Sequence, residues 1–254
     1  MLSQGHVVLL HAFPLNAGLW RPQVERAPTG WRFVTPDLPG FATSGLPPAR
    51  TMEEMAREVL NVIDEQGIAR AVIGGVSMGA YVTLALYRLV PERFSAMILA
   101  DTRATADNDQ QIEGRRKMIA TVREKGPSAI ADEMLPKLLG ATSHRVRPEL
   151  AGRLRAMIEG NSRETIAGAV EAMMGRADSR PLLAQISVPT LVLCGEEDVL
   201  TPPSDSEALH AGIRGSRLAM LPGAGHLPNF ETPDAFSFEL NAFLGELPNL
   251  ALSR

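Results

Sequence analysis

The sequence has almost no cysteine and no long apolar run. Cys194 is its single cysteine, which excludes an internal disulfide and leaves stability to hydrophobic packing. No segment reaches the roughly 18 uninterrupted apolar residues that a membrane helix needs. The first residues, MLSQGHVVLLHAF, lack the basic n-region of a signal peptide. We therefore expect a cytoplasmic protein with no membrane span.

A surplus of positive charge is also missing. The 254 residues include 25 Lys and Arg against 29 Asp and Glu, which gives a formal net charge of −4. Nucleic-acid-binding domains usually present a basic face, so we expect no nucleic-acid partner. His6, His144 and His210 show no metal-ligand spacing, and we expect neither a metal nor a cofactor. An apolar fraction of 45% is enough for a globular protein with a sizeable core.

Short apolar runs alternate with helical patterns along most of the chain. Strands are predicted at 6–11, 31–35, 71–76, 95–100, 189–194 and 216–221. Helices are predicted at 52–63, 78–89 and 233–247. Fully apolar strands separated by helices are typical of a parallel sheet that is covered on both faces. The sequence thus predicts an α/β fold with a mostly parallel sheet flanked by helices.

The interval 103–180 interrupts this alternation. It holds only helical patterns, punctuated by glycine and proline, and no strand-like run. Five of the eleven methionines fall here, and no Phe, Trp or Tyr occurs between residues 95 and 229. We interpret the interval as an all-helical cap, or lid, inserted between two strands of a core formed by residues 1–102 and 181–254.

A candidate nucleophile lies at the junction of a predicted strand and a predicted helix. The pentapeptide Gly75-Val-Ser77-Met-Gly79 matches G-x-S-x-G, a pattern that places a serine on a sharp strand-to-helix turn. The residues two positions before and after such a serine need to be small, and glycine satisfies this requirement. The alternative is a glycine-rich turn whose serine only caps the helix. The position between strand and helix favours the nucleophile.

A serine nucleophile needs a base, and the base needs a third group that orients it. His226 lies in a turn-rich loop after the last predicted strand, and Asp198 follows the strand before it. The chain order Ser77, Asp198, His226 is that of a known serine–acid–histidine arrangement. Asp101 also ends a predicted strand and is a second candidate acid, although Arg103 offers it a structural ion pair instead. We favour Asp198.

Together these motifs resemble the α/β-hydrolase family over nearly the whole chain. The turn His11-Ala-Phe13-Pro14 resembles the family's H-G-x-P turn, and the segment 37–44 resembles its D-x-x-G-x-G-x-S turn. In these turns Ala12 and Ala42 stand where the family has glycine. The loops 195–198 and 225–226 resemble the acid and histidine loops, and the helical insertion matches the cap. The likeness is greatest to small 3-oxoadipate enol-lactonase-like and carboxylesterase-like members.

The resemblance and the triad residues imply a serine hydrolase that cleaves a carboxylic ester or lactone through an acyl-enzyme on Ser77. His226 would act as base and then as acid, while Asp198 holds its imidazole. The resemblance also implies that the backbone N–H groups of Phe13 and Met78 form an oxyanion hole. The expected partner is therefore a small-molecule ester or lactone.

Two other functions fit the same residues. The triad can serve C–C bond hydrolysis, perhydrolysis or acyl transfer, because fold and triad do not determine the reaction. A hydrolase-like protein that binds or senses a ligand belongs to another class, and the oligomeric state stays open. Residues that we expect to contact substrate are His11, Trp20, Phe41, Tyr81, Met118 and Met134.

Overall fold

The computed structural model describes residues 5–247, and within them six strands form one parallel sheet. The strands are β1 (Gly5–Leu10), β2 (Trp31–Val34), β3 (Ala71–Val76), β4 (Phe94–Ala100), β5 (Thr190–Gly195) and β6 (Arg217–Leu221). Their order is β2-β1-β3-β4-β5-β6, and each strand pairs in parallel with its neighbours. The predicted α/β fold is confirmed.

Twelve α-helices occur in the described range. They are α1 (Arg21–Glu25), α2 (Met52–Glu65), α3 (Met78–Leu89), α4 (Asp109–Lys125), α5 (Pro127–Leu138), α6 (Ala141–Val146), α7 (Glu149–Glu159), α8 (Arg163–Met174), α9 (Arg180–Leu183), α10 (Pro203–Gly212), α11 (Pro228–Glu231) and α12 (Pro233–Glu246). Helix α3 packs on β1, β3 and β4, whereas α10 and α12 pack on β5 and β6. None of these helices is both long and apolar enough to cross a bilayer.

The boundaries of α2 follow from its sequence. Thr51 caps its N-terminus in a capping box with Glu54, and Gly67 lies beyond its end with a left-handed φ of 66°. Its apolar stripe is buried, as the spacing predicts. Helix α10 was not predicted, because only Ser206 and Leu209 are buried along it and no apolar stripe marks it.

The centre of the sheet is packed closely enough that two positions require glycine. A Cβ on Gly79 would overlap the carbonyl oxygen of Leu10, and a Cβ on Gly74 would overlap Ile98 on the next strand. Strands β3, β4 and β5 are buried along their whole length. Helix α3 therefore lies directly against the sheet, and its first turn is held close to the end of β1.

Five helices, α4 to α8, occupy the interval between β4 and α9. All of residues 103–180 lie in the described range, and none of them forms a strand. Helix α4 packs against α8 and α5, and α5 packs against α7. The hydroxyl of Thr165 on α8 donates to the carbonyl of Gly40, 2.9 Å away, which ties the interval to the loop after β2.

Candidate active site

Ser77 occupies a sharp turn between β3 and α3. Its backbone has φ 55° and ψ −113°, an unusual conformation for a residue with a side chain. The Ser77 N–H donates to the carbonyl of Ala100 at 2.9 Å, which fixes the turn to β4. A Cβ on Gly75 would overlap the backbone of Gly79, so the turn can close only with glycine at these positions. The strain is characteristic of a functional turn.

His226 connects Ser77 to an acid. Its Nε2 lies 2.8 Å from Oγ of Ser77, and its Nδ1 lies 2.8 Å from Oδ2 of Asp198. Both His226 and Asp198 are buried, whereas Ser77 is half-buried. The three side chains follow β3, β5 and β6 at the same edge of the sheet. This line of hydrogen bonds can take a proton from the serine and return it.

Asp198 is surrounded by hydrogen-bond donors. Its Oδ1 accepts from the N–H groups of Leu200, at 2.8 Å, and of Thr201, at 3.1 Å. The Thr201 hydroxyl donates to Oδ2 at 2.6 Å. Burial by itself raises the pKa of Asp198, but the His226 charge and the hydrogen bonds from His226 and Thr201 outweigh burial and hold this pKa below its usual value. The carboxylate is therefore the charged partner of the imidazole.

Thr201 is a site residue that the sequence analysis missed. Its Oγ1 bonds to Asp198 and lies 3.3 Å from Nδ1 of His226. The sequence contains a signal for this contact. An aspartate side chain commonly accepts from the backbone N–H groups two and three residues later and so forms a local turn. The threonine before Pro202, at the start of α10, completes that turn.

Asp101 does not reach His226 in the described structure. Its Oδ1 accepts from the N–H of Gly195 at 2.9 Å. The ion pair that we expected with Arg103 is wrong: this guanidinium lies 3.1 Å from Asp205 and also donates to the carbonyl of Leu200. The side chain of Arg103 points toward α10, because this helix and the loop before it supply the two acceptors.

Two backbone N–H groups, those of Phe13 and Met78, are the expected donors of an oxyanion hole. Phe13 follows β1 and lines the same cavity as Ser77, and Met78 is the first residue of α3, where the N–H has no acceptor within the helix. Ala12 does not have a positive φ, so its methyl group is accommodated without backbone strain. Ala42 has φ 38°, in the region that favours the family's glycine.

A cavity of about 350 Å³ opens beside Ser77 and His226. Tyr81, Met118 and Met134, three of the residues that we expect to contact substrate, line this cavity. Further lining comes from Met173 and Leu200, and from polar residues of α4 and α5. The helical interval thus supplies much of the cavity wall, and the loops at the carboxyl ends of the strands supply Ser77 and His226.

His11, Trp20 and Phe41 are not among the residues that line this cavity. His11 is fully buried; its Nε2 accepts from the N–H of Leu38 at 3.0 Å, and its Nδ1 lies 3.0 Å from the carbonyl of Ala12. Burial lowers the pKa of His11 to about 4, so the ring is neutral. Phe41 packs edge-on against this ring, and Trp20 packs against Phe236. The expectation that these three side chains contact substrate is corrected: they belong to the core.

Charged side chains near the cavity are largely paired with one another. Asp107 accepts from Arg115 and from Arg176, each at 2.7 Å, and Arg176 lies 4.3 Å above the ring of Tyr81. Burial raises the pKa of Asp107, but the two guanidinium groups outweigh it and lower this pKa.

No group of three His, Cys, Asp or Glu side chains within residues 5–247 is arranged to hold a metal ion.

Glu231 binds the histidine loop to the helical interval. Its Oε1 accepts from the N–H groups of Gly225, at 2.9 Å, and of Leu227, at 3.1 Å, the two neighbours of His226. Its Oε2 accepts from the N–H of Gly140 at 2.8 Å. The side chain is buried. Glu231 therefore holds His226 from both sides, a role that the sequence analysis missed.

Glu197 makes the equivalent connection for the acid loop. It accepts from the N–H of Thr142 at 2.8 Å and from its hydroxyl at 2.6 Å. These two hydrogen bonds lower the pKa of Glu197. Glu197 is thus bonded to Thr142 and is not free in solvent. The segment 140–142 contacts both the loop that carries Asp198 and the loop that carries His226.

Comparison with known proteins identifies the family. A sequence model of the alpha/beta hydrolase fold matches residues 5–233. The chain therefore belongs to the alpha/beta hydrolase family, and the resemblance stated above is confirmed.

Relatives with the named activities are similar over almost the whole chain. The 3-oxoadipate enol-lactonase 2 of Acinetobacter baylyi is 29% identical over 240 residues, which cover 94% of this chain and 88% of that protein. A thermophilic esterase from Thermogutta terrifontis has a TM-score of 0.93 at 37% identity, with 96% of this chain and 91% of that chain covered. The enol-lactonase from Burkholderia xenovorans has a TM-score of 0.88 at 29% identity, with 96% and 92% covered.

We expect Glu231→Gln to destabilise the protein. One carboxylate oxygen becomes an amide NH₂ group, which cannot accept, so at least one buried backbone N–H loses its partner. The expected loss in the free energy of unfolding is about 1–3 kcal/mol, measured by urea denaturation. Glu65→Gln, at the exposed end of α2, is the matched control and should change little. Equal stability of the two variants would contradict the role of Glu231.

Proposed function

We propose that the protein is a serine hydrolase that cleaves a carboxylic ester or lactone through an acyl-enzyme on Ser77. The observation that carries the proposal is the line from Ser77 through His226 to Asp198, with 2.8 Å at each step, beside a cavity of substrate size. The alternative of a helix-capping serine is disfavoured, since Ser77 makes no side-chain bond to the N-terminus of α3.

The first half of the reaction acylates the serine. Oγ of Ser77 attacks the carbonyl carbon while Nε2 of His226 takes its proton. Asp198 keeps the proton of His226 on Nδ1, so that Nε2 is the acceptor, and it stabilises the imidazolium that forms. The imidazolium then gives its proton to the leaving alcohol oxygen. In a lactone this oxygen stays attached to the acyl group.

The second half releases the acid. Water attacks the acyl-enzyme, with His226 again as base, and the proton then returns to Oγ of Ser77. The negative oxygen of each tetrahedral intermediate is placed toward the N–H groups of Phe13 and Met78. Loss of one such donor typically costs about 3–4 kcal/mol of transition-state stabilisation. The N-terminus of α3 adds a partial positive charge at the same place.

The relatives support this reaction over the alternatives. Proteins named as esterases and enol-lactonases align along nearly the whole chain. They favour ester or lactone cleavage over C–C bond hydrolysis, perhydrolysis and acyl transfer by the same three residues. We further propose that the interval 103–180 acts as the cap, because its helices α4 and α5 line the cavity above Ser77.

We expect Ser77→Ala to lower kcat for an activated ester by at least about 10³-fold. Ser77 already carries a Cβ in this backbone conformation, so alanine adds no clash and the fold should persist. The measurement is initial rates together with circular dichroism. Ser204→Ala, at an exposed serine of α10, is the control. A fluorophosphonate probe should label wild type and not Ser77→Ala; labelling without ester turnover would instead indicate a binding or sensing protein.

We expect Asp198→Asn to lower kcat on the order of 10⁴-fold while substrate binding changes little. The amide favours the wrong imidazole tautomer, with the proton on Nε2, and such a ring cannot accept the serine proton. Steady-state kinetics separate kcat from KM. Glu196→Gln, an exposed carboxylate in the same loop, should keep full activity. An active Asp198→Asn enzyme would show that another group orients His226.

We expect short aliphatic acyl groups to be preferred over aromatic acids. Met118, Met134 and Met173 in the cavity wall are flexible and fill irregular space, whereas a flat ring is bound best by aromatic side chains. The value of kcat/KM for a butyrate ester should exceed that of the matching benzoate ester by about ten-fold. A reversed order would show that Phe13 and Tyr81 dominate the acyl site.

A further inference from the structure

Asp101 is a buried carboxyl group for which the proposed mechanism has no use. It follows β4 directly, and its side chain has no exposure to solvent. Its backbone φ is 43°, in the left-handed region, where aspartate and asparagine are among the best-tolerated residues with a side chain. A strained, buried and ionisable residue at the carboxyl end of a central strand calls for a physical reason.

The hydrogen bonds of Asp101 are incomplete if its carboxyl group is ionised. Oδ1 accepts from the N–H of Gly195, which begins the loop that carries Asp198. Oδ2 is buried and accepts no hydrogen bond from any donor among residues 5–247. An unsatisfied buried carboxylate oxygen is costly, whereas a protonated oxygen becomes a donor that can use a nearby acceptor.

The groups around Asp101 are negative or neutral. The carboxylate of Asp198 lies within hydrogen-bonding reach of its side chain, and the charge of Glu231 on α11 also acts on it. The buried thiol of Cys194 on β5 is the other titratable neighbour. The nearby cation, Arg103, bonds to Asp205 and the loop carbonyl instead. Asp101 is connected to His226 through Asp198, which bonds to Nδ1 of the imidazole.

Two carboxyl groups this close cannot both be ionised in a buried site. Asp198 has the donors that stabilise a negative charge, namely the ring of His226 and three groups of Leu200 and Thr201. Asp101 has one backbone N–H. The charge therefore stays on Asp198 and the proton on Asp101.

We propose that Asp101 is a neutral carboxylic acid that donates a hydrogen bond to Asp198, and that it positions the acid of the triad. Oδ1 holds the start of the acid loop through Gly195, and the protonated Oδ2 holds the carboxylate at the other end. This assignment of a positioning role depends on the proposed function. Burial first, and then the negative charge of Asp198, raise the pKa of Asp101 well above its ordinary value.

Asp101→Asn tests the proposal through activity. Asparagine tolerates the positive φ, its Oδ1 can accept from Gly195, and its Nδ2 can donate to Asp198. Because both hydrogen bonds are kept, kcat/KM should stay within about three-fold of wild type and the acid limb of its pH profile should not move. Asp101→Gly also tolerates this φ but loses both bonds, and misplacement of the acid should lower kcat by about ten-fold or more.

Other outcomes of these measurements overturn the proposal. If Asp101 were ionised, Asp101→Asn would remove a buried negative charge that stabilises the imidazolium, and the acid limb would move to lower pH by about one unit or more. An inactive Asp101→Asn enzyme, like Asp198→Asn, would make Asp101 the catalytic acid. Unchanged kcat in a folded Asp101→Gly protein would exclude a positioning role.

The pH dependence of folding tests the protonation state without any turnover. At a pH above the ordinary pKa of aspartic acid, about 3.9, a neutral Asp101 releases its proton when the protein unfolds. Its contribution to the free energy of unfolding therefore falls as the pH rises. Urea unfolding gives the folding equilibrium constants of wild type and Asp101→Asn. We expect the ratio of the variant's constant to that of wild type to rise about ten-fold per pH unit, from roughly pH 5 up to the raised pKa of Asp101.

A flat ratio of the two folding constants from pH 5 to 8 would show an ionised Asp101 and overturn the proposal. Asp64→Asn, which removes an exposed carboxylate on α2, is the control for the change in charge and should give a flat ratio. This measurement holds even if no ester is cleaved, so failure of the proposed function and failure of the protonation state are distinguishable.

Discussion

The close contact between α3 and the end of β1 is the constraint on which the rest of the site depends. Without a Cβ on Gly79, α3 can start directly against the carbonyl of Leu10, and without one on Gly75 the turn between strand and helix can close. The residue between them, Ser77, is forced to a positive φ, and its hydroxyl is presented at the sheet edge. Parallel strands bring all their carboxyl ends to that edge, so the loops after β5 and β6 can place an acid and a base beside the serine.

Three buried carboxyl groups occur in and around the loops that carry Asp198 and His226, and they differ in the number of hydrogen-bond donors that surround them. Asp198 keeps its charge because two neighbours on its own loop and His226 donate to it. Glu231 is satisfied by three backbone N–H groups. Asp101 accepts from one backbone N–H, and one donor is not enough to stabilise a buried carboxylate. The protonated form therefore has the lower free energy. Charged and neutral carboxyl groups thus lie close together in one region of low dielectric. The number of hydrogen-bond donors around each group determines whether it is ionised.

The sequence predicts the sheet, the helical interval and the residues at strand ends, because these depend on local periodicity and on a rule of parallel sheets. It does not predict contacts between distant segments. Glu231 and Gly140 are 91 residues apart, and nothing in the pattern around either position indicates the other. His11, which has the residue type of a site residue, is satisfied in the core by the N–H of Leu38. The short helix α10 lacks an apolar stripe, since it covers the sheet with few side chains.

These long-range contacts also restrict how the helical interval can move. Near the loops that carry Asp198 and His226, the segment 140–142 is bonded to Glu197 and Glu231. On the other side, Asn161 donates to the carbonyl of Pro14 and Thr165 donates to that of Gly40. The exposed residues that line the cavity belong to α4 and α5. Helix α4 is remote along the chain from the segment 140–142, whereas α5 ends at Leu138, directly before it. Movement of the segment 140–142 would displace the loops that carry Asp198 and His226. An opening that leaves these two residues in place must therefore keep this segment fixed and move α4 or the beginning of α5.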